Sequence, residues 1–90
     1  MSIEIQISSV FARYADNKTV LTVSGNTVGE CLEDLVNQYP DLRSIFLDDK
    51  GNLLHSYDVY INGKSAYPDE MVKPVKDGDK LHVVPVIYGG

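Results

Sequence analysis

One stretch governs what this chain can fold into. Thr27-Val28-Gly29-Glu30 fits a capping box, in which the threonine hydroxyl takes a backbone N–H and the glutamate reaches back. Val28, Cys31, Leu32, Leu35, Val36 and Tyr39 then recur at helical spacing, with Glu30, Glu33, Asp34, Asn37 and Gln38 on the opposite side, until Pro40 stops the run. A helix with a single apolar stripe must cover another apolar surface. The remaining segments have to supply that surface.

They read as strands. Ile3, Ile5 and Ile7 alternate with Glu4, Gln6 and Ser8, giving a strand with one apolar face. Ser8 to Lys18 is a connection turning at Asp16-Asn17, with Val10, Phe11 and Tyr14 expected to anchor it to the core. Thr19 to Val23 is β-branched and forms a second strand, broken by Ser24-Gly25-Asn26. Leu42, Ile45, Phe46 and Leu47 indicate a short helical turn, and Asp48 to Asn52 a polar turn. Tyr57 to Ile61 is a third strand ending in Asn62-Gly63, a tight-turn pair that tolerates positive φ. Lys64 to Val72 is an irregular return with a short strand around Ser65-Ala66-Tyr67, and Asp77-Gly78-Asp79 turns the chain into a final strand, Lys80 to Val86. The expected architecture is α+β: one domain over residues 1–90, with a mixed sheet of four to five strands packed on one main helix. If the first and last strands pair in the middle of the sheet, the topology is the β-grasp, or ubiquitin-like, fold.

Charge and residue chemistry narrow the function. A formal net charge of -5 argues against nucleic acid or an anionic membrane as partner, both of which need a basic face. It is compatible with docking onto a basic patch of another protein. The lone Cys31 excludes an internal disulfide, fits a reducing compartment and sits on the apolar stripe as a packing residue. No signal sequence or membrane-spanning run is visible, so a cytoplasmic location is expected. Asp48-Asp49 and Asp77-Gly78-Asp79 lack the spaced ligands of a calcium loop and read as turns. His55 and His82 are isolated, with His82 expected to point outward, so no metal site is expected. Without a phosphate-cradling glycine loop, the chain itself is expected to bind no cofactor. Ser8-Ser9 has no neighbouring His or Asp to build a triad.

The end of the sequence is more telling. An apolar run, Leu81 to Tyr88, leads directly into Gly89-Gly90. With glycine at roughly 7% of residues, a terminal pair should arise by chance about once in 200 chains. Glycine has no Cβ, so such an end can thread a narrow channel and present its carboxylate as the working group.

Val75 to Gly90 as a whole resembles the closing segment of the ubiquitin-like sulfur-carrier proteins: the small subunit of molybdopterin synthase, the thiamine-pathway carrier and the carrier for cysteine synthesis. The shared elements are the Asp77-Gly78-Asp79 turn, the alternating strand, Pro85, the aliphatic Ile87, one variable residue at Tyr88, and Gly89-Gly90. The Gly25 to Glu30 helix start and the Val59 to Gly63 hairpin are similar too. The chain departs from the family in having Val86 where molybdopterin-synthase subunits often have a second proline, and a bulky Tyr88. It also has extra residues around Pro40 to His55 relative to thiamine-pathway carriers.

The resemblance implies that Gly90 is the reactive site, adenylated and then converted to a thiocarboxylate, while Gly89, Tyr88, Ile87 and Val86 form the gripped tail. The chain would be a protein cosubstrate rather than an enzyme, with ATP used by its partner. The partners implied are a ubiquitin-activating-like adenylating enzyme, a persulfide donor, and a sulfur acceptor. That acceptor would be the molybdopterin synthase large subunit, thiazole synthase or a cysteine-synthase-like enzyme, with the molybdopterin-synthase-like role preferred. An exposed apolar patch is expected on the sheet face away from the helix, drawn from Tyr57, Tyr60, Tyr67 and Val84. Two alternatives stand beside this reading: a ubiquitin-like modifier joined to lysines through Gly90, and a non-catalytic β-grasp interaction module.

Overall fold

A computed structural model describes residues 2–86. Strands β1 (Ile3–Gln6) and β2 (Val20–Val23) form an antiparallel pair, with Ile5 opposite Leu21. Helix α1 (Val28–Gln38) crosses the sheet, and a short helix α2 (Arg43–Phe46) follows it. Then come β3 (Tyr57–Ile61), the two-residue β4 (Lys64–Ser65) and β5 (Lys80–Pro85). The sheet order is β2-β1-β5-β3-β4, with the parallel β1–β5 pair at its centre. The first and last strands thus meet where the sequence placed them, and the fold is the β-grasp.

The core follows from the two periodicities. Ile3, Ile5 and Ile7 of the first segment, Leu21 and Val23 of β2, Val59 of β3, and Leu81 and Val83 of β5 are buried under α1. The helix contributes the Val28, Cys31, Leu32, Leu35 and Val36 stripe. At its start the Thr27 hydroxyl accepts the Glu30 N–H at 3.1 Å, while the Glu30 carboxylate accepts from Asn26, one residue before the cap. Further along the helix, Asp34 accepts the Ser24 N–H at 2.9 Å, and at its last residue Gln38 Nε2 donates to the Thr22 carbonyl at 3.1 Å. These two side chains, expected only to face solvent, cover part of the open edge of β2.

The Ser8 to Lys18 connection contains a 3-10 turn over Ser9–Tyr14. With three residues per turn, Phe11 and Tyr14 fall on one side and pack against the core. Val10 does not join them. It is 67% exposed, contrary to expectation, because the same geometry rotates it away. Phe11, Phe46 and Tyr57 make a ring cluster with edge-to-face centroid distances of 5.3, 6.0 and 5.0 Å. Tyr57 therefore belongs to the helix side of the sheet. It shares the face of Val59 by strand alternation and is not part of the opposite face.

Candidate functional site

The site begins at the root of the tail. Tyr57 lies opposite Pro85, and the Val86 N–H donates to the Ser56 carbonyl at 2.7 Å. Regular pairing thus closes at Pro85, one residue earlier than the sequence reading, with one further bond at Val86. Val86 is partly exposed at this root. Ile87, Tyr88, Gly89 and Gly90, which carry the proposed chemistry, lie outside the described residues.

The route into β5 is built by a network that joins two motifs read separately in the sequence. Asp79 is only 5% exposed. Its carboxylate accepts from Asn62 Nδ2 at 2.9 Å, from the Lys76 N–H at 2.8 Å and from Lys76 Nζ at 3.0 Å. The Asn62 side-chain oxygen in turn accepts the Lys80 N–H at 2.9 Å. The Asn62-Gly63 hairpin and the Asp77-Gly78-Asp79 turn are therefore one device, which sets β5 in register between β1 and β3. Asn62 at φ 51° with Gly63 at φ 86°, and Gly78 at φ 90°, give the backbone the left-handed geometry that both turns need. The Asn62 amide, the Lys76 backbone N–H and the Lys76 ammonium hold the Asp79 carboxyl down at about 2.

Two surfaces flank the root. On the sheet face away from α1, Gln6, His82 and Tyr60 stand in register across β1, β5 and β3. Val84 lies beside them and Glu4 and Lys80 at the rim, around a shallow concavity of about 450 Å³. Of the apolar residues expected on this face, Tyr60 and Val84 are there. Tyr57 is on the helix side, and Tyr67 lies beyond β4, 76% exposed. His82 faces outward, as its strand position required.

The second surface is a groove between the 48–55 and 65–72 segments. It comprises concavities of about 410 and 540 Å³ that share Leu53, His55, Tyr67 and Glu70, and Val86 lines its near end. No sequence signal drew attention to it, because its walls are two irregular segments brought together by the fold.

Other candidate groups resolve simply. Burial, with the Asp34 and Glu30 carboxylates next, pushes the Cys31 thiol up to about 11, which keeps it protonated and inert as a packing residue. Asp48 Oδ1 accepts the Lys50 and Asn52 N–H groups, both at 2.9 Å, as a turn should. Among the described residues, no group of His, Cys, Asp or Glu is placed to hold a metal ion, and no helix is long and apolar enough to cross a membrane.

Comparison with known proteins agrees with this fold. The ThiS family model matches residues 8–90. The chain is 34% identical over 89 residues to the small archaeal modifier protein 1 of Haloferax volcanii, covering 97% of this chain and 99% of that protein. A crystal structure of that modifier superposes with a TM-score of 0.83 over 100% of both chains. The sulfur carrier protein CysO of Mycobacterium tuberculosis is 22% identical over 93 residues, covering 100% of each chain. CysO of Amycolatopsis orientalis, solved in a BexX/CysO complex, has the same fold, with a TM-score of 0.86 at 21% identity over 98% of this chain and 99% of that one.

Proposed function

This chain belongs to the ThiS family, and from that premise we propose that it is a sulfur carrier whose Gly90 carboxylate is activated by a partner enzyme and returned as a thiocarboxylate. The observation that carries the reading is the β5 segment. A central strand, set in register by the Asp79–Asn62 network and bonded at Val86 to Ser56, leads into Gly89-Gly90. A rigid body that fixes the root of the tail reduces the orientational entropy lost when another protein takes up its end.

A carboxylate does not accept sulfide directly. Gly90 would attack the α-phosphate of ATP held by the adenylating enzyme, forming an acyl-adenylate as pyrophosphate leaves. A persulfide sulfur would then attack the acyl carbon and expel AMP. That attack forms a C–S bond and leaves an acyl disulfide. A thiol would then cleave the S–S bond carried over from the persulfide, forming a disulfide with the donor and leaving the thiocarboxylate on Gly90. No residue of this chain need act as acid or base, so its role is that of a cosubstrate. Gly89 gives clearance, Val86, Ile87 and Tyr88 are gripped, and the Tyr60–Val84 face docks the body. The acceptor would be a sulfur-incorporating enzyme of molybdopterin, thiamine or cysteine synthesis. The decisive assay is ATP–pyrophosphate exchange by the adenylating enzyme of the source organism. The full chain should stimulate it, whereas a chain ending at Gly89 should not. Equal exchange by both would overturn the reading.

A second role has specific support. The 34% identity to a small archaeal modifier protein favours conjugation of the same activated Gly90 to lysine amines. This would leave branched Gly-Gly remnants on target proteins after protease digestion.

A further inference from the structure

Whatever enzyme receives Gly90 must come close to Val86, because the residues beyond it span at most about 14 Å when fully extended. The two surfaces beside that root differ in charge. The outer sheet face mixes signs, with Glu4 and Lys80 at its rim and His82 within it. The groove on the other side is lined by Asp48, Asp58, Asp69 and Glu70, with His55 between its two concavities and Asp58 already accepting the Ser65 hydroxyl, and by no lysine or arginine. Leu53, Tyr67 and Met71 add apolar surface to its lining, and Val72, 72% exposed, stands at the far end from Val86. These carboxylates are not gathered into an ion site among the described residues. They are strung along a slot, which suits several side chains of a peptide better than a single cation. Asp48 is held ionised below the usual carboxylate range by the Asn52 and Lys50 N–H groups.

We propose that this groove docks a basic, apolar-bearing segment at the channel mouth of the adenylating enzyme, and so sets which enzyme accepts this carrier. The proposal rests on the carrier reading above. The partner's sign follows from its chemistry. An enzyme that brings a carboxylate up to a nucleotide polyphosphate must neutralise both with cationic groups, so the approach to its active site is basic. Lysine or arginine side chains there meet the carboxylates of the groove, while their neighbours' apolar groups cover Tyr67 and Val72. Complementary rim charges act chiefly on encounter and partner choice. One wall of the groove comes from the Asp48 to His55 stretch.

The test is a double charge reversal, Asp69→Lys with Glu70→Lys, assayed with the purified adenylating enzyme of the source organism over a range of salt. Asp41→Lys, on the exposed start of the α1–α2 connection, is the control. The groove variant should raise KM for the carrier about tenfold at low salt with kcat unchanged, and the gap should close near ~1 M salt, where the Debye length falls to ~3 Å. Circular dichroism establishes that the variant is folded, and the milder Asp69→Asn with Glu70→Gln pair should give an intermediate KM if the reversal disturbs the loop. If the wild-type chain supports exchange and the groove variants match it at every salt, the groove proposal is wrong and the carrier reading stands. If the wild-type chain supports no exchange, both fall.

Discussion

Replacing Phe46 by leucine should loosen the domain from the side that holds the tail. Phe46 is fully buried and meets Phe11 and Tyr57 edge-to-face at 5.3 and 5.0 Å. Leucine keeps much of the apolar volume but loses both ring contacts, each worth about 0.5–1.5 kcal/mol beyond its buried area. The expected cost is therefore about 1–3 kcal/mol, against a total stability of about 5–13 kcal/mol for a domain of this length. At about 4–8 °C per kcal/mol, thermal unfolding should fall by roughly 10 °C. A double-mutant cycle with Tyr57→Leu should return a coupling of about 0.5–1.5 kcal/mol, because both substitutions remove the same contact. The effect should reach function through geometry. Tyr57 lies opposite Pro85, and Ser56 accepts the Val86 N–H, so amide exchange at Val86 should accelerate more than at Ile5 in the central β1 strand. A Tm shift no larger than that of an exposed control such as Tyr67→Ala, or a coupling of zero, would refute the claim that this ring cluster braces the tail root.

The remaining predictions concern the elements that hold the sheet and helix in place. A Cβ at Gly29 would lie 2.8 Å from the Met71 carbonyl, a backbone atom that cannot swing aside. Gly29→Ala should thus lose about 1 kcal/mol in urea unfolding, the overpacking cost exceeding the gain in helix propensity; a more stable variant would show that the 70–75 segment yields readily. Thr27→Ala removes the hydroxyl that caps α1 and should cost about 1 kcal/mol by the same assay. A cost below a few tenths would mean that Glu30 alone caps the helix. Asp79 has a folded-state pKa depressed from 3.8 to about 2. Its stabilising contribution is therefore complete above the unfolded value and is lost as pH falls through that window. The wild-type chain should lose its advantage over Asp79→Asn between those limits; a pH-independent difference down to pH 2 would contradict the network's assignment.

The sequence made most of the fold legible because periodicity maps directly onto burial. Ile3, Ile5 and Ile7 alternate, the α1 stripe repeats at helical spacing, and the core is the sum of those faces. Single-residue directions in irregular segments were harder. Val10 sits in the same apolar cluster of sequence as Phe11, yet the 3-10 turn points it to solvent. Tyr57 and Tyr67 resemble Tyr60 as residue types, and only strand register separates the three. The Asp79–Asn62 bond spans 17 positions, and local pattern carries no signal at that separation. The groove was invisible for the same reason. Its walls are loops whose approach depends on the packing of α2 and the β3–β4 edge.

The central claim is tested most directly by the intact mass of the chain purified from its source organism while actively growing, or after incubation with its adenylating enzyme, ATP and a sulfur donor. The account predicts a species heavier by the difference between sulfur and oxygen, with fragmentation placing the change on Gly90 and alkylation trapping it as a thioester. A chain that retains only its carboxylate under conditions where the adenylating enzyme is demonstrably active would contradict it.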